Sequence, residues 1–335
     1  MKCLMLFSIE DTFWVRINLE KLMPILPQKL KKGDTIGIIS PAGAVKDEKS
    51  WDFAKKYFEN KGYKVKIAFH ADNKNSYLAG KDADRLSDLI NFFKDDEIKA
   101  IICSRGGYGT FRLLEKIDWE IIKNNPKIFV GYSDITALLN NFVEKSGIVA
   151  FHGPLALSDF GVEEINKYTE ENFQKIIEGK AEIPYKFENK LNYECIIAGK
   201  TQGELLGGNL TILCGLLGTP YFPELQGKIL LLEDIGEPLY KIDRMLMQLK
   251  LAGIFEKVSG ILFAEFTSII EAETAGVNKL TPVDIIKELT KGLNIPIGYG
   301  FNASHGKQKA TLPLGVKYSF DSCDFKLEII ENYLT

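Results

Sequence analysis

The chain has 335 residues, more than one hydrophobic core ordinarily serves, so two domains are expected. Apolar residues make up 45% and charged residues 26%, enough to build a core without disulfide or metal staples. The 42 basic and 45 acidic side chains are well mixed and sum to −3, which argues against nucleic acid as a partner, because phosphate binding needs a concentrated basic surface.

The N-terminal run MKCLMLFSIEDTFW is broken by Glu10 and Asp11 and has no small-residue cleavage site after it. It falls short of the ~20 apolar residues a membrane span needs, so neither a signal peptide nor a membrane segment is expected. Residues 1–22 read as an extension ahead of a globular pattern that begins near Met23. The five cysteines, Cys3, Cys103, Cys195, Cys214 and Cys323, are odd in number, far apart and free of any C-x-x-C. Reduced, mostly buried thiols in a cytoplasmic protein are the expectation.

From Met23 onward the elements alternate. Ile36–Ser40 follows a Gly33-Asp34 turn and reads as a buried strand broken by Pro41-Ala42-Gly43. Trp51–Asn60 has helical periodicity and ends at Gly62, and Tyr63–Phe69 then alternates like a strand. Asp82–Phe93 is predicted as a helix with Leu86, Leu89, Ile90 and Phe93 on one face. The short strand Ile101–Cys103 runs into Ser104-Arg105-Gly106-Gly107-Tyr108-Gly109, and Thr110–Ile117 is helical. Ile128–Val130 runs into Gly131-Tyr132-Ser133-Asp134 and a helix over Ile135–Lys145.

Short continuous apolar strands alternating with helices predict an α/β fold with a parallel sheet over residues 23–162. Sites in such sheets lie at the carboxyl ends of strands, where both glycine-containing turns fall. Residues 163–200, richer in Glu, Lys and Asn, read as a linker or crossover helix. Residues 201–335 read as a smaller mixed α/β domain, with an amphipathic helix over Asp243–Leu251 and late strands at Gly298–Phe301 and Lys317–Asp321.

The candidate bases are few, because only His70, His152 and His305 are present. No H-E-x-x-H or H-x-x-E occurs, which disfavours a metallocarboxypeptidase while leaving carboxylate-rich metal sites open; no metal and no cofactor are expected. Ser133 sits where a strand turns abruptly into a helix, which exposes a nucleophile and supplies N–H groups to an oxyanion. The turn is not a full G-x-S-x-G elbow, since Ile135 replaces the second glycine; Ser133 as a helix cap is the competing reading. The Ser104–Gly109 turn lacks the G-K-[ST] of a phosphate loop. Gly107 and Asp134 are candidate oxyanion-hole N–H donors, and Arg105 and Gly106 candidate substrate contacts, with a plain tight turn as the alternative. Glu233 ends the apolar strand Ile229–Leu232 and is placed to orient a histidine. Pairing with Lys241 or Arg244 is its competing reading, and Glu237 its rival for the role. His305 lies in a loop ahead of Leu312-Pro313-Leu314-Gly315, either catalytic or solvent-facing. His152 and His70 read as structural.

Taken in order, these segments resemble the LD-carboxypeptidase family, which includes muramoyltetrapeptide carboxypeptidases and microcin C immunity peptidases. The resemblance spans roughly residues 25–330. It rests on Gly33-Asp34-Thr35-Ile36, Ser40–Gly43, Arg105–Gly109, Gly131–Thr136, Phe151-His152-Gly153-Pro154, Gly207-Gly208-Asn209-Leu210, Leu232-Glu233-Asp234 and the His305 loop. It implies a nucleophile matching Ser133, a glutamate matching Glu233 and a histidine matching His305. It further implies a flavodoxin-like N-terminal domain, assembly of the triad across the domain interface, a homodimer, and removal of D-alanine from cytosolic murein tetrapeptide. Ser304 stands where the family pattern has a glycine, and residues 1–22 have no counterpart. An immunity-type peptidase would need an aromatic platform for a base, and Trp119 reads as core. A non-catalytic binding protein and a nucleotide binder using Gly106–Gly109 are the remaining alternatives.

Overall fold

The computed structural model describes residues 23–188, 193–270 and 280–335. The expected extension 1–22, with Cys3, lies outside the described residues. The first sheet is built from β1 (Thr35–Ile39), β2 (Lys64–Ile67), β3 (Ile98–Cys103), β4 (Ile128–Gly131) and β5 (Ala150–His152). Successive residues of β3, β4 and β5 are buried, and successive side chains point to opposite faces, so both faces of the sheet are covered. The strand order is β2-β1-β3-β4-β5, all parallel, which is the flavodoxin order. The connection reverses direction between β1 and β3, and this leaves a crevice outside their carboxyl ends. Helix Asp82–Lys94 packs Leu89 and Phe93 inward, as its periodicity predicts. The same face also buries Arg85 and Asp88.

The second sheet has eight strands. Its core is parallel: β8 (Lys200–Asn209), β9 (Ile229–Ile235), β10 (Gly260–Thr267) and β11 (Ile297–Phe301). Antiparallel strands flank it, namely β6 (Tyr185–Lys186), β7 (Glu194–Ile197), β13 (Lys317–Asp321) and β14 (Lys326–Ile329). The stretch 163–200 thus carries a helix, Lys167–Ile177, and two border strands of this sheet. One late strand, β12 (Leu312–Leu314), crosses back and pairs antiparallel with β5, tying the two sheets together.

The sheets meet at the carboxyl end of β8. Gly207 and Gly208 have φ of 119° and 133°, a region closed to most side chains. A Cβ on Gly208 would lie 2.7 Å from Thr136 Oγ1, so only glycine lets β8 reach the helix Thr136–Asn141. Asn140 completes the joint. Its Nδ2 donates to Gly207 O at 2.9 Å, and its Oδ1 accepts from Gly207 N at 2.9 Å.

The cysteine expectation is overturned for one pair. Cys195 and Cys323 form a disulfide, with Cα atoms 5.0 Å apart and 128 residues between them in sequence. β7 and the turn between β13 and β14 meet only through the folded sheet, so spacing along the chain carries no sign of the bridge. Cys103 is a buried free thiol and Cys214 a half-buried one. The thiol argument for a cytoplasmic location falls with this correction. Among the described residues, no helix is long and apolar enough to cross a membrane.

Candidate active site

β4 ends at Gly131, and the chain turns sharply through Tyr132 and Ser133 into a short 3₁₀ turn and then helix Thr136–Asn141. Ser133 takes φ 64°, a left-handed conformation uncommon for a non-glycine residue and recurrent at strained nucleophile turns. Its side chain caps neither helical segment, so the capping reading does not hold. Gly131 is needed beside it, since a Cβ there would lie 2.7 Å from Ile135 Cγ2.

The Ser104–Gly109 turn packs against Ser133. A Cβ on Gly106 would sit 2.8 Å from Ser133 Oγ and 3.6 Å from Asp134 N. Gly107, at φ 111°, lies against Gly43 of the β1 turn, and Gly43 N donates to Gly106 O at 3.1 Å. Asp134 clamps this turn to the serine turn. Its Oδ2 accepts from Thr110 N at 2.9 Å, and its own carbonyl accepts from Thr110 Oγ1 at 2.7 Å. Burial pushes the Asp134 carboxyl up to about 6, against the hydrogen bonds from Thr110. Arg85, fully buried, donates from Nη1 to Gly109 O at 2.9 Å and also to Pro41 O, holding the β1 and β3 turns together. Between those turns opens a cleft of about 730 Å³, lined by Ala44, Lys46, Tyr77, Arg105, Gly107 and Tyr108. It occupies the crevice that the strand order leaves between β1 and β3. Arg105 donates from Nη1 to Ala44 O and so is held at the cleft wall.

Glu233 and His305 are brought together from the second sheet. Glu233, at 0% exposure, lies one residue before the end of the buried run of β9, and its Oε2 lies 2.7 Å from His305 Nδ1. Its Oε1 accepts from Asn209 Nδ2 at 3.2 Å. Neither Lys241 nor Arg244 pairs with Glu233. The rival Glu237 takes Lys241 at 3.3 Å. His305 is not a free loop side chain either, being only 12% exposed. Its ring meets Tyr132 edge-to-face at 4.7 Å between centroids, which places the histidine beside the residue preceding Ser133. Ser304 accepts from Gly306 N at 3.2 Å and is buried, so the departure from glycine at this position supplies a turn bond rather than a clash.

Several positioning residues carry no role in the sequence reading. Asn209 caps helix Leu210–Leu216 through Ile212 N and also binds Glu233 and Asp234, the latter at 3.1 Å. Its place in the Gly-Gly-Asn segment before an apolar helix is the capping signal from which it was findable. His152 is buried as expected. It also spans the two halves, with Nε2 3.0 Å from Ala303 O, two residues before His305. Because a carbonyl can only accept, Nε2 carries the proton, and burial holds the pKa of His152 down so that the ring stays neutral. His70 is structural, its Nδ1 lying 2.9 Å from Asp88 Oδ1.

A buried carboxylate–imidazole pair beside a strained serine turn, on two linked α/β sheets, defines the architecture of a hydrolase. Comparison with known sequences sharpens this. Residues 36–153 match the model for the LD-carboxypeptidase N-terminal domain, and residues 202–320 that for the LD-carboxypeptidase C-terminal domain. The chain is 37% identical over 305 residues to a probable murein peptide carboxypeptidase of Bacillus subtilis, covering 91% of this chain and 94% of that protein. It is 32% identical over 339 residues to the microcin C7 self-immunity protein MccF of Escherichia coli, covering 93% and 97%. The solved structure of MccF in its wild-type apo state superposes with a TM-score of 0.84 at 29% identity, over 93% of this chain and all of that one. The protein belongs to the LD-carboxypeptidase family and is a peptidase of that class.

Proposed function

We propose that this protein is a serine L,D-carboxypeptidase that removes the terminal D-alanine from murein tetrapeptide. The nucleophile comes from residues 23–162 and the acid and base from residues 201–335. The observation that carries the reading is the 2.7 Å His305–Glu233 pair held against Tyr132, the neighbour of Ser133. In this mechanism Ser133 Oγ attacks the carbonyl that joins the third residue to D-alanine, and His305 Nε2 takes its proton. Glu233 holds Nδ1–H and stabilises the imidazolium. N–H groups of Gly107 and Asp134 stabilise the oxyanion, each worth about 3 kcal/mol of barrier. His305 then protonates the departing amine, and water repeats the sequence on the acyl-enzyme. Arg105 borders the cleft that receives the peptide, and its guanidinium matches a carboxylate, while Gly106 lies against Ser133 where the peptide backbone would pass.

Recycling of murein peptide is cytoplasmic, and the reading carries that location and a homodimeric state with it. An immunity-type reaction on an aminoacyl nucleotide has less support. Trp119, half-buried, packs edge-on against Phe142 at 6.2 Å at the border of the core and is not among the residues that line the cleft. The test is mass spectrometry of a tetrapeptide digest with a chelator present, wild type beside Ser133→Ala. Release of D-alanine by the wild type and a fall of about 10⁴ to 10⁶ in kcat for the variant are expected. Comparable rates in the two would overturn the serine mechanism, and cleavage only of an aminoacyl sulfamoyl adenylate would overturn the substrate.

A further inference from the structure

The parallel strands of the second sheet present their carboxyl ends side by side. Asn209 of β8 is in register with Glu233 of β9, and both serve the His305 pair. The next strand, β10, breaks its register with β9 between Phe263 and Phe266, and with β11 between Phe263 and Ala264. Bulges of this kind re-aim a side chain next to a site. The residue inside the irregular stretch is Glu265. Its neighbours Ala264 and Phe266 are buried, whereas Glu265 is half-buried. A Cβ built on Gly306 would lie 2.9 Å from Glu265 Oε2, so the carboxylate stands against the residue that follows His305. The Tyr299 phenol, whose pKa burial chiefly raises, is pushed further in the same direction by the Glu265 charge. Among the described residues Glu265 has neither an ion pair nor a hydrogen bond, and burial alone raises its pKa. A partly desolvated carboxylate without a partner is costly, and an arriving cation removes that cost.

We propose that Glu265 is a specificity-determining residue that receives the ammonium group at the end of the side chain of the peptide's third residue. That residue donates the acyl group to Ser133, so its side chain lies beside the scissile carbonyl and the His305 loop. Lysine and diaminopimelate both carry an ammonium at the side-chain end. The assignment rests on the murein reading above and narrows it to peptides with a cationic third residue.

The test uses two synthetic tetrapeptides that differ only at the third position, L-lysine in one and L-norleucine in the other. Wild type is expected to favour the lysine peptide in kcat/KM by about tenfold or more. Glu265→Gln is expected to bring the two peptides within about twofold, chiefly through a raised KM for the lysine peptide. Equal cleavage of both peptides by the wild type overturns the ammonium assignment and leaves the murein reading standing. So does an unchanged lysine preference in Glu265→Gln. Cleavage of neither peptide by the wild type overturns the murein reading, and the assignment falls with it.

Discussion

Gly106→Ala tests the site at its tightest point. The added methyl carbon would lie 2.7 Å from Ser133 Cβ and 2.8 Å from Ser133 Oγ. Ordinary carbon–carbon contact is about 3.5–4.0 Å, so the overlap is about 1 Å. Two relaxations are open: the serine turn yields, or the Ser104–Gly109 turn retreats. Retreat is opposed by Gly43, which donates to Gly106 O, and by the Thr110–Asp134 bonds that clamp the two turns. The hydroxyl therefore moves relative to the imidazole, and a displacement of about 1 Å costs on the order of 10²-fold in rate. The overpacking itself costs about 1–3 kcal/mol of stability, so the variant remains folded. The assay is kcat on the tetrapeptide, run beside the labelling rate of Ser133 with a fluorophosphonate and a thermal melt. Rate and labelling within about threefold of wild type, with an unchanged melt, would show that Gly106 does not face the reacting hydroxyl.

Glu233→Gln leaves the shape of the pair but lets an amide donate toward Nδ1, which disfavours the tautomer in which Nε2 accepts the serine proton; kcat is expected to fall by about 10⁴ with KM little changed in steady-state kinetics. Asp134 has its folded-state pKa raised by burial to about 6, so its contribution to stability is fully present below the unfolded carboxylate range and is lost as pH rises through about 6. Asp134→Asn removes that dependence, and urea melts should show the variant gaining about 2 kcal/mol on wild type between pH 4 and pH 7. Cys195→Ser should separate two tryptic peptides that run linked without reductant, and should lower unfolding free energy by about 2–4 kcal/mol.

The alternation of buried strands with helices, and the placement of both glycine-containing turns at strand ends, were legible because side-chain periodicity is a local property. The candidate acid, base and nucleophile were also legible, as residue types at strand ends and in an ordered set of segments. Their competing readings were not resolvable in one dimension. Capping by Ser133, a Glu233–Lys241 pair and a solvent-facing His305 are each compatible with their own neighbours. The structure decides against all three, since Ser133 is strained rather than capping, Lys241 takes Glu237, and His305 is bound to a buried Glu233.

The chain alone therefore determined the α/β class, the order of its main elements and a short roster of candidate reactive groups, since each depends on residues a few positions apart; several element ends shifted, as in β3, which starts at Ile98. Tertiary structure decided what those groups touch. The bond from His152 to Ala303, the return of β12 to the first sheet, the bulge at Glu265 and the Cys195–Cys323 bridge all join positions far apart in sequence. Such contacts follow from how the sheets pack and register. No local pattern encodes them, because the free energy that sets them belongs to the assembled core.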